Sequence, residues 1–380
     1  MDYGFSKEQE SYRAKVREFA AKERLDQRRP TDGAPGEFDR RAWQACAECG
    51  LQGGMIPPEL GGQGLDLMTF IAGLEQLGEA CEDSGLLFSL GAHIFSCELS
   101  ILAFGSDKQR KMWLPELCSG KKIAAIGMAE EQGASDAFSL RTTAAKRGKE
   151  YVLNGRKLYV TNGPFCDLAL IFARLDGSTG DIVCLLVPGD NPGMTRSPAT
   201  PKMGLQGAPF GELVLKDCHV PAESRLGSET AGKLVFMSAM EWERGCLLAP
   251  MAGAMRRQLD QCITWAKSRQ QAGESITRFQ AVAHRIVDMK MRLEAARHLL
   301  YAFAWKKQVR RRANMEASMA KLGLSEALVQ NALDALQIHG ARGYTTGSGV
   351  ERQLRDALAT RIAAGTSDIQ KNIIAEWLRL

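Results

Sequence analysis

The spacing of hydrophobic and polar positions changes twice along the 380 residues of the chain. Residues 1 to about 120 carry helical patterns, interrupted by breakers such as GGMIPPELGGQGLD at 53–66. From about 122 to 225 apolar positions alternate, and Asn154-Gly155 within YVLNGRKLYV predicts a hairpin turn. Beyond about 230 the spacing is helical again. Apolar residues recur every three or four positions at Phe279, Val282, Ile286, Met289 and Leu293.

This order predicts an α+β protein with three domains. Strands at short spacing without intervening helices favour an antiparallel barrel or sandwich over a doubly wound parallel sheet. The long apolar stripes suit a helix bundle. We therefore predict an N-terminal helical domain at 1–121, a central β domain at 122–228 and a C-terminal helical bundle at 229–380.

Composition narrows the functional classes. The chain is 45% hydrophobic and 24% charged, as in ordinary globular proteins. It has no run of about 18 uncharged apolar residues, so we expect no membrane span. The N-terminus lacks the features of a secretory signal, which makes the cytoplasm the expected location. A net charge of +5 is too small to indicate nucleic-acid binding, although it would suit an acidic protein partner.

The cysteines and histidines suggest no metal or disulfide chemistry. The ten cysteines are scattered, mostly within apolar segments, and are predicted to be small buried hydrophobic residues. Cys46 and Cys49 form a C-x-x-C pair without a second pair or nearby histidines, so neighbouring positions on a helix are favoured over a redox site. The five histidines have no metal-ligand spacing.

Five motifs follow one another along the chain. They are GMAEEQGASD at 127–136, KLYVTNG at 157–163, SRQQAGESITRFQ at 268–280, QIHGARGY at 337–344 and AGTSDIQ at 364–370. In this order they resemble the acyl-CoA dehydrogenase family, and the resemblance covers almost the whole chain. It implies an N-terminal helical domain, a central antiparallel β-barrel domain and a C-terminal four-helix bundle. It also implies an oxidoreductase that binds FAD and forms a homotetramer, a dimer of dimers.

The resemblance places FAD between the β domain and the C-terminal bundle. The positions matching those that line the flavin ring are Met128, Ala129, Ser135, Tyr159 and Thr161. Arg269 and Gln280 match positions that hold the pyrophosphate and adenosine end across a subunit interface. Further FAD contacts are implied at Gln337, Gly340, Thr366 and Asp368. Three departures, at Ala129, Glu131 and Ala272, are expected to weaken FAD binding without removing the site.

The position of the catalytic base is the main departure from the family pattern. Many members carry a glutamate just before the Gly-Thr pair, where this chain has Ala364. Other branches carry it in a Glu-Arg pair at the start of the C-terminal domain, which Glu243 and Arg244 match. We therefore predict Glu243 as the base. Glu241 competes, but it lies about 200° away around a helix. Arg244 is a candidate for substrate or flavin-phosphate contact, with a structural role equally open.

Four blocks resemble one branch of the family, which oxidises L-prolyl groups on peptidyl carrier proteins. They are WERGC at 242–246 and the stretches at 85–97, 279–301 and 361–375. The implied reaction is two oxidations of a prolyl thioester to a pyrrolyl-2-carboxyl thioester in natural-product biosynthesis. Glu243 would remove the α-proton and the flavin would take the β-hydride. Two alternatives stay open: a dehydrogenase for another short acyl group on a carrier or CoA, and a non-catalytic binding protein.

Overall fold

The computed structural model describes residues 4–28, 38–132, 135–178, 180–309 and 312–380. Helices precede the sheet: α1 Lys7–Lys22, α2 Arg40–Glu48, α3 Leu67–Ala80, α4 Ser84–Gly91, α5 Leu99–Phe104 and α6 Asp107–Cys118. The sheet contains β1 Ala124–Gly127, β2 Thr143–Arg147, β3 Glu150–Thr161, β4 Leu168–Leu175, β5 Ile182–Pro188, β6 Met194–Arg196 and β7 Phe210–Pro221.

A second group of helices completes the described chain. These are α7 Gly232–Cys246, α8 Ala249–Ser268, α9 Gln280–Val309, α10 Asn314–His339, α11 Ala341–Tyr344, α12 Val350–Thr360 and α13 Ser367–Leu378. A short hairpin, β8 Gln270–Gln271 and β9 Glu274–Ser275, lies between α8 and α9. The predicted order of helices, strands and helices is confirmed. The predicted domain boundaries fall in the connections between α6 and β1 and between β7 and α7.

The N-terminal helices join the C-terminal bundle where α3 crosses α8. A Cβ atom at Gly78 would overlap the carbonyl oxygen of Pro250, and one at Gly253 would overlap that of Glu75. Only glycine permits backbones to approach this closely. Gly253, ten residues after Glu243, is therefore required by the packing of α8 on α3.

The central helical segment of the N-terminal domain is buried over almost its whole length. A π-helical segment, Ala92–Glu98, joins α4 to α5 without a break. By length and composition the run Ser84–Phe104 could cross a membrane, but 89% of its apolar window is buried inside the protein. This run is therefore a core helix, and its π-helical part packs against both β1 and α7.

The sheet differs from the predicted antiparallel arrangement in one respect. The ladders β2–β3, β3–β7, β4–β5 and β6–β7 are antiparallel, whereas β1 and β2 both pair with β4 in parallel. The prediction rested on the short spacing of the strands and the lack of helices between them. Here β3 pairs with β2 and β7, so one edge of β4 is left for β1 and β2. The chain between β1 and β4 is long enough for the crossover that parallel pairing requires.

The hairpin predicted at Asn154-Gly155 is wrong. Both residues lie inside β3, and the turn between β2 and β3 is at Gly148, which has φ +60°. The register of β3 against β7 shifts between Leu153 and Gly155, which marks a β-bulge. Gly155 has φ +153° and passes so close to Thr142 that a Cβ atom would overlap it. The residue pair therefore serves a bulge and a close approach, which need the same backbone freedom as a turn.

Strand β4 separates two hydrophobic cores. Leu168, Leu170 and Phe172 pack into the core shared with the helices, whereas Ala169, Ile171 and Ala173 face the second core within the β domain. This alternation follows the two-residue period of a strand. In the bundle, the predicted stripe of α9 is fully buried at Met289 and Leu293, while Phe279 is exposed. All ten cysteines are free and buried, which agrees with their prediction as small core residues.

Candidate active site

Glu243 lies on the inner face of α7. Phe236, Met240 and Glu243 recur at positions i, i+4 and i+7, so they share one face of the helix. That face meets the π-helical segment, and the hydroxyl of Ser96 donates a hydrogen bond to Oε1 of Glu243. Oε2 of Glu243 accepts no hydrogen bond from the residues that the structure describes, and it keeps a small contact with solvent. Glu243 as a whole is 7% exposed, so this carboxylate is largely withdrawn from water.

The surroundings of Glu243 make it a stronger base than an exposed glutamate. Burial raises its pKa to about 7, because a buried carboxylate loses its hydration. The hydrogen bond from Ser96 and the positive charge of Arg244 both act in the opposite direction. A carboxylate whose pKa lies near neutral pH is suited to accept a proton from a weak carbon acid.

Glu241 lies two residues away on the opposite face of α7. Its Oε1 lies 3.0 Å from Nζ of Lys307 and accepts a 2.5 Å hydrogen bond from the backbone N–H of Ala313. Lys307 belongs to α9, and Ala313 is the N-cap residue of α10. Glu241 therefore ties three helices together and has no role at the face that carries Glu243.

Arg244 connects α7 to the loop before α13. Its Nε lies 3.5 Å from the carbonyl oxygen of Ala364. Ala364 adopts a left-handed conformation with φ +54°, and Gln370 donates to the carbonyl oxygens of Ala364 and Gly365 at 3.1 and 2.9 Å. The two places where a base was considered, Glu243 and Ala364, are thus joined through Arg244. This contact gives Arg244 a structural function.

Four of the five residues predicted to line a flavin ring, all except Ser135, come together at β3. The backbone N–H of Leu158 donates to the carbonyl oxygen of Ala129 at 2.9 Å, which joins the Met128–Ala129 segment to the strand. A second register shift in β3, between Lys157 and Val160, gives Tyr159 a φ of +56°. Its ring is 65% exposed and stacks on Phe210, with centroids 5.9 Å apart. The bulge thus turns an aromatic face towards solvent.

A buried ion pair supports the Met128–Ala129 segment from behind. Nζ of Lys157 lies 2.5 Å from Oε1 of Glu130 and donates to the carbonyl oxygen of Met128 at 3.3 Å. Glu130 also accepts the backbone N–H groups of Arg141 and Thr142. Burial alone would raise the pKa of Glu130, but Lys157 and these donors lower it to about 2. The pair therefore stays ionised and holds two backbone segments at the site.

Asn162 fixes the end of the same strand. It has φ +66°, and its side-chain amide donates to the carbonyl oxygens of Ser89 and Ala124 at 3.2 and 3.4 Å. Thr161, which precedes it, pairs with Phe210 across the β3–β7 ladder. The end of β3 is thereby held against α4 and β1, so the position of Thr161 depends on both domains.

Comparison with known proteins decides the family. The description "Acyl-CoA dehydrogenase, N-terminal domain" matches residues 6–121, "middle domain" matches 125–218 and "C-terminal domain" matches 230–379. The chain belongs to the acyl-CoA dehydrogenase family. The family and the fold predicted from the five motifs are confirmed.

Several relatives within the family carry names that refer to prolyl groups. An L-prolyl-[peptidyl-carrier protein] dehydrogenase of Pseudomonas fluorescens is 38% identical over 90% of this chain and 91% of its own length. Another, of Serratia, is 35% identical over 100% of this chain and 99% of its own. The crystal structure of the prolyl acyl carrier protein oxidase AnaB matches with a TM-score of 0.95 and 44% identity, covering 99% of this chain and 100% of AnaB.

The other predicted FAD-binding residues of this acyl-CoA dehydrogenase lie at helix ends on the surface. Arg269 follows α8, Gln280 begins α9, and Gln337 lies in the last turn of α10. Gly340 ends α10 with φ +59°, and a Cβ atom there would meet nothing within 4 Å. Within a single chain, no hydrogen bond or ion pair among the described residues links these four residues to the segment around Tyr159.

Three further predicted positions have local roles or are exposed. Thr366 is the N-cap of α13 and accepts the backbone N–H of Ile369. Asp368, in the first turn of α13, is exposed and lies 3.6 Å from Lys371. Ser135 is exposed beside Asp136. The motif GMAEEQGASD includes residues 133 and 134, which lie outside the described residues.

The three departures from the family pattern, at Ala129, Glu131 and Ala272, can be located in the structure. Ala272 occupies the turn between β8 and β9 with φ +50°, followed by Gly273 with φ +81°. Such a two-residue turn needs left-handed backbone at both positions, which a small residue tolerates better than a large aromatic one. Ala129 is half-buried and Glu131 is exposed. The departures at 129 and 131 thus concern side chains of a segment that is joined to β3 through its backbone.

Sequence reasoning missed Ser96, Glu130, Lys157 and Asn162 as site residues. A signal was present for Lys157, because a lysine at an inward position of an alternating strand indicates a paired buried charge. The pairing of Ser96 with Glu243 joins positions 147 residues apart and gave no local signal.

Proposed function

We propose that this chain is an FAD-dependent dehydrogenase that oxidises an L-prolyl thioester on a peptidyl carrier protein. The product is the pyrrolyl-2-carboxyl thioester, an intermediate of natural-product biosynthesis. The main observation behind this proposal is that Glu243 on α7 is a buried carboxylate with one unbonded oxygen. The alternative base position of the family holds an alanine, Ala364, in this chain. Full-length similarity to proteins named for prolyl-carrier oxidation supports the choice of substrate.

The residues of the chain supply proton transfer and orientation. The α-C–H of a thioester is a weak acid, so its removal needs a base that is aimed and partly desolvated. Oε2 of Glu243 is the atom that accepts the proton, because Ser96 already occupies Oε1. Arg244 holds the loop before α13 next to α7 through the carbonyl oxygen of Ala364.

The residues present fit a flavin dinucleotide. Tyr159 offers an exposed aromatic face beside the backbone of Met128 and Ala129, and the Thr161 hydroxyl lies two residues farther along the strand. Arg269 presents an exposed guanidinium, which suits a diphosphate through two parallel hydrogen bonds. Gly340 leaves open space for a close approach. Bound FAD would supply the hydride acceptor for both oxidations, with a tautomerisation of the ring completing the second.

We further propose that the enzyme is a cytoplasmic homotetramer, a dimer of dimers, which receives its substrate on the phosphopantetheine arm of the carrier. The separation of Arg269, Gln280 and Gln337 from the Tyr159 segment supports a FAD site completed by a second subunit. Exposed apolar residues on α9, including Val287 and Met291, support a face that another copy covers.

A second candidate is a dehydrogenase for another short acyl group, on a carrier or on CoA. Butyryl-CoA dehydrogenase of Megasphaera elsdenii superposes with a TM-score of 0.94 at 30% identity, covering all of both chains. The backbone is therefore compatible with a CoA thioester as well. A purely non-catalytic binding protein is the least supported alternative, because it would have no need of a buried carboxylate with an unbonded oxygen.

An anaerobic single-turnover experiment tests the proposal. The flavin-loaded protein is mixed with L-prolyl carrier protein, and the carrier is weighed by intact mass spectrometry. We expect bleaching of the flavin spectrum and, with oxidant supplied, loss of four hydrogens from the carrier, both abolished by Glu243→Gln. Bleaching by butyryl-CoA but not by the prolyl carrier would establish the second candidate. Protein that binds no flavin would favour the binding function.

A further inference from the structure

The π-helical segment Ala92–Glu98 lies directly against Glu243, and only its Ser96 has entered the proposed function so far. A π-helix accommodates more residues per turn than an α-helix, which rotates the residues that follow it, and such segments are frequent at functional sites. Every residue of this segment is buried. Ser96, near its centre, is the residue whose hydroxyl meets Oε1 of Glu243.

The backbone on both sides of Ser96 is fixed by buried hydrogen bonds. Nδ1 of His93 accepts the backbone N–H of Ala124 at 3.0 Å, and Nε2 therefore carries the proton that faces Glu98 at 3.1 Å. One turn later, the hydroxyl of Ser100 donates to the carbonyl oxygen of Ser96 at 2.6 Å. These hydrogen bonds hold the backbone around Ser96 in place, so its hydroxyl stays next to the carboxylate of Glu243.

We propose that Ser96 is the positioning residue of the base: its hydroxyl holds Oε1 of Glu243 and leaves Oε2 as the oxygen that meets the substrate proton. This inference rests on the proposed role of Glu243. The hydrogen bond is stronger to a carboxylate than to a neutral acid. Ser96 therefore also favours the ionised, proton-accepting form, against the effect of burial.

Few other charged groups reach Glu243. Arg244 on α7 is the nearest, and Lys321 on α10 faces Arg244 rather than the glutamate. Cys97 of the π-helical segment lies near Glu243, with Cys184 of β5 beside it. Burial raises the pKa of both thiols, so they stay neutral. On α9, Lys307 is paired with Glu241 on the other face. Loss of the Ser96 hydroxyl should therefore change the pKa of Glu243 directly.

Titration of the flavin-loaded protein by infrared difference spectroscopy tests this without any substrate. The carbonyl stretch of protonated Glu243 is identified by its absence in Glu243→Gln. We expect its midpoint to move to higher pH by about one unit in Ser96→Ala. Ser96→Thr, which keeps a hydroxyl, should restore the midpoint. Ser325→Ala removes a buried hydroxyl that bonds only within α10 and should leave the midpoint unchanged.

The pH profile of kcat/KM gives the second readout. In Ser96→Ala the acidic limb should move upward by the same amount, which lowers the rate about tenfold at pH 6 and much less at pH 9. An equal loss at every pH, or an unmoved infrared midpoint, would overturn the inference. If the band of Glu243 shifts as expected but prolyl carrier is not oxidised, the inference stands and the proposed substrate fails. Should Ser96→Ala not fold, a Ser96→Thr midpoint that differs from the wild-type value would overturn it.

Discussion

The two places where the family puts its base are built differently in this chain. On α7, Glu243 is buried, one oxygen is held by Ser96 and the other has no partner in the described structure. In the loop before α13, Ala364 offers only a methyl group on left-handed backbone, and its carbonyl oxygen accepts from Gln370. The first place therefore has an available acceptor, whereas the second uses its polar atoms to hold the loop.

Glu241 sharpens this comparison because it shares a helix with Glu243. Both carboxylates are buried to a similar degree, yet Glu241 is bonded to Lys307 and to the N–H of Ala313. Burial without a direct ion pair leaves Glu243 a proton acceptor with a raised pKa. Burial with a cation and a backbone donor produces a structural contact. The difference between the two comes from their partners rather than from depth.

The largest expected effect is the loss of activity in Glu243→Gln. An amide keeps the shape of the side chain but accepts no proton, so kcat/KM should fall by a factor on the order of 10³. Single-turnover flavin bleaching measures the chemical step directly, and retained flavin absorbance serves as the control for folding. Activity within a few-fold of the wild-type value would show that the base lies elsewhere, with Ala364's loop excluded by its lack of a carboxylate.

Glu241→Gln should show the opposite pattern. The substitution replaces the ion pair with Lys307 by a neutral contact, which should lower the free energy of unfolding by about 1–3 kcal/mol. Below the unfolding transition the remaining folded protein should bleach at close to the wild-type rate. Urea unfolding followed by circular dichroism measures the stability. A large loss of kcat in protein shown to be folded would assign Glu241 a part in the chemistry.

The raised pKa of Glu243 also predicts how stability depends on pH. The folded protein holds this proton up to about pH 7, whereas an unfolded glutamate releases it near 4.5. Because the folded state binds more protons in this window, ionisation of Glu243 lowers the free energy of unfolding between pH 4.5 and 7, by about 3 kcal/mol. Glu243→Gln should therefore gain stability over wild type at pH 8 and gain none at pH 4. Parallel stability curves for the two proteins would contradict this.

The sequence was sufficient for the order of the domains, and it led to Glu243 as the predicted base. The change of period marked the three regions, and the WERGC block pointed to Glu243 once Ala364 was seen at the other position. Ser96 could not be predicted, because an extra residue in a π-helix alters which side chains share a face. The parallel ladders of β4 depend on the pairing of β3 with β7, which no local pattern records. The hairpin predicted at Asn154-Gly155 was wrong because a β-bulge and a hairpin turn favour the same residue types.

The smallest expected effect is that of Ala364→Gly. An alanine at φ +54° is strained by roughly 1–2 kcal/mol, and glycine removes this strain while losing more chain entropy on folding. The net gain in stability should be about 0.5–1 kcal/mol, measurable as a small rise in Tm. Flavin bleaching should be unchanged, since the substitution leaves the backbone contacts of Arg244 and Gln370 with this loop in place. Ala363→Gly, at the preceding position without a positive φ, is the matched control and should lose stability instead. A fall in kcat for Ala364→Gly alone would show that the methyl group shapes the pocket, and the two base positions would then act as one site joined by Arg244.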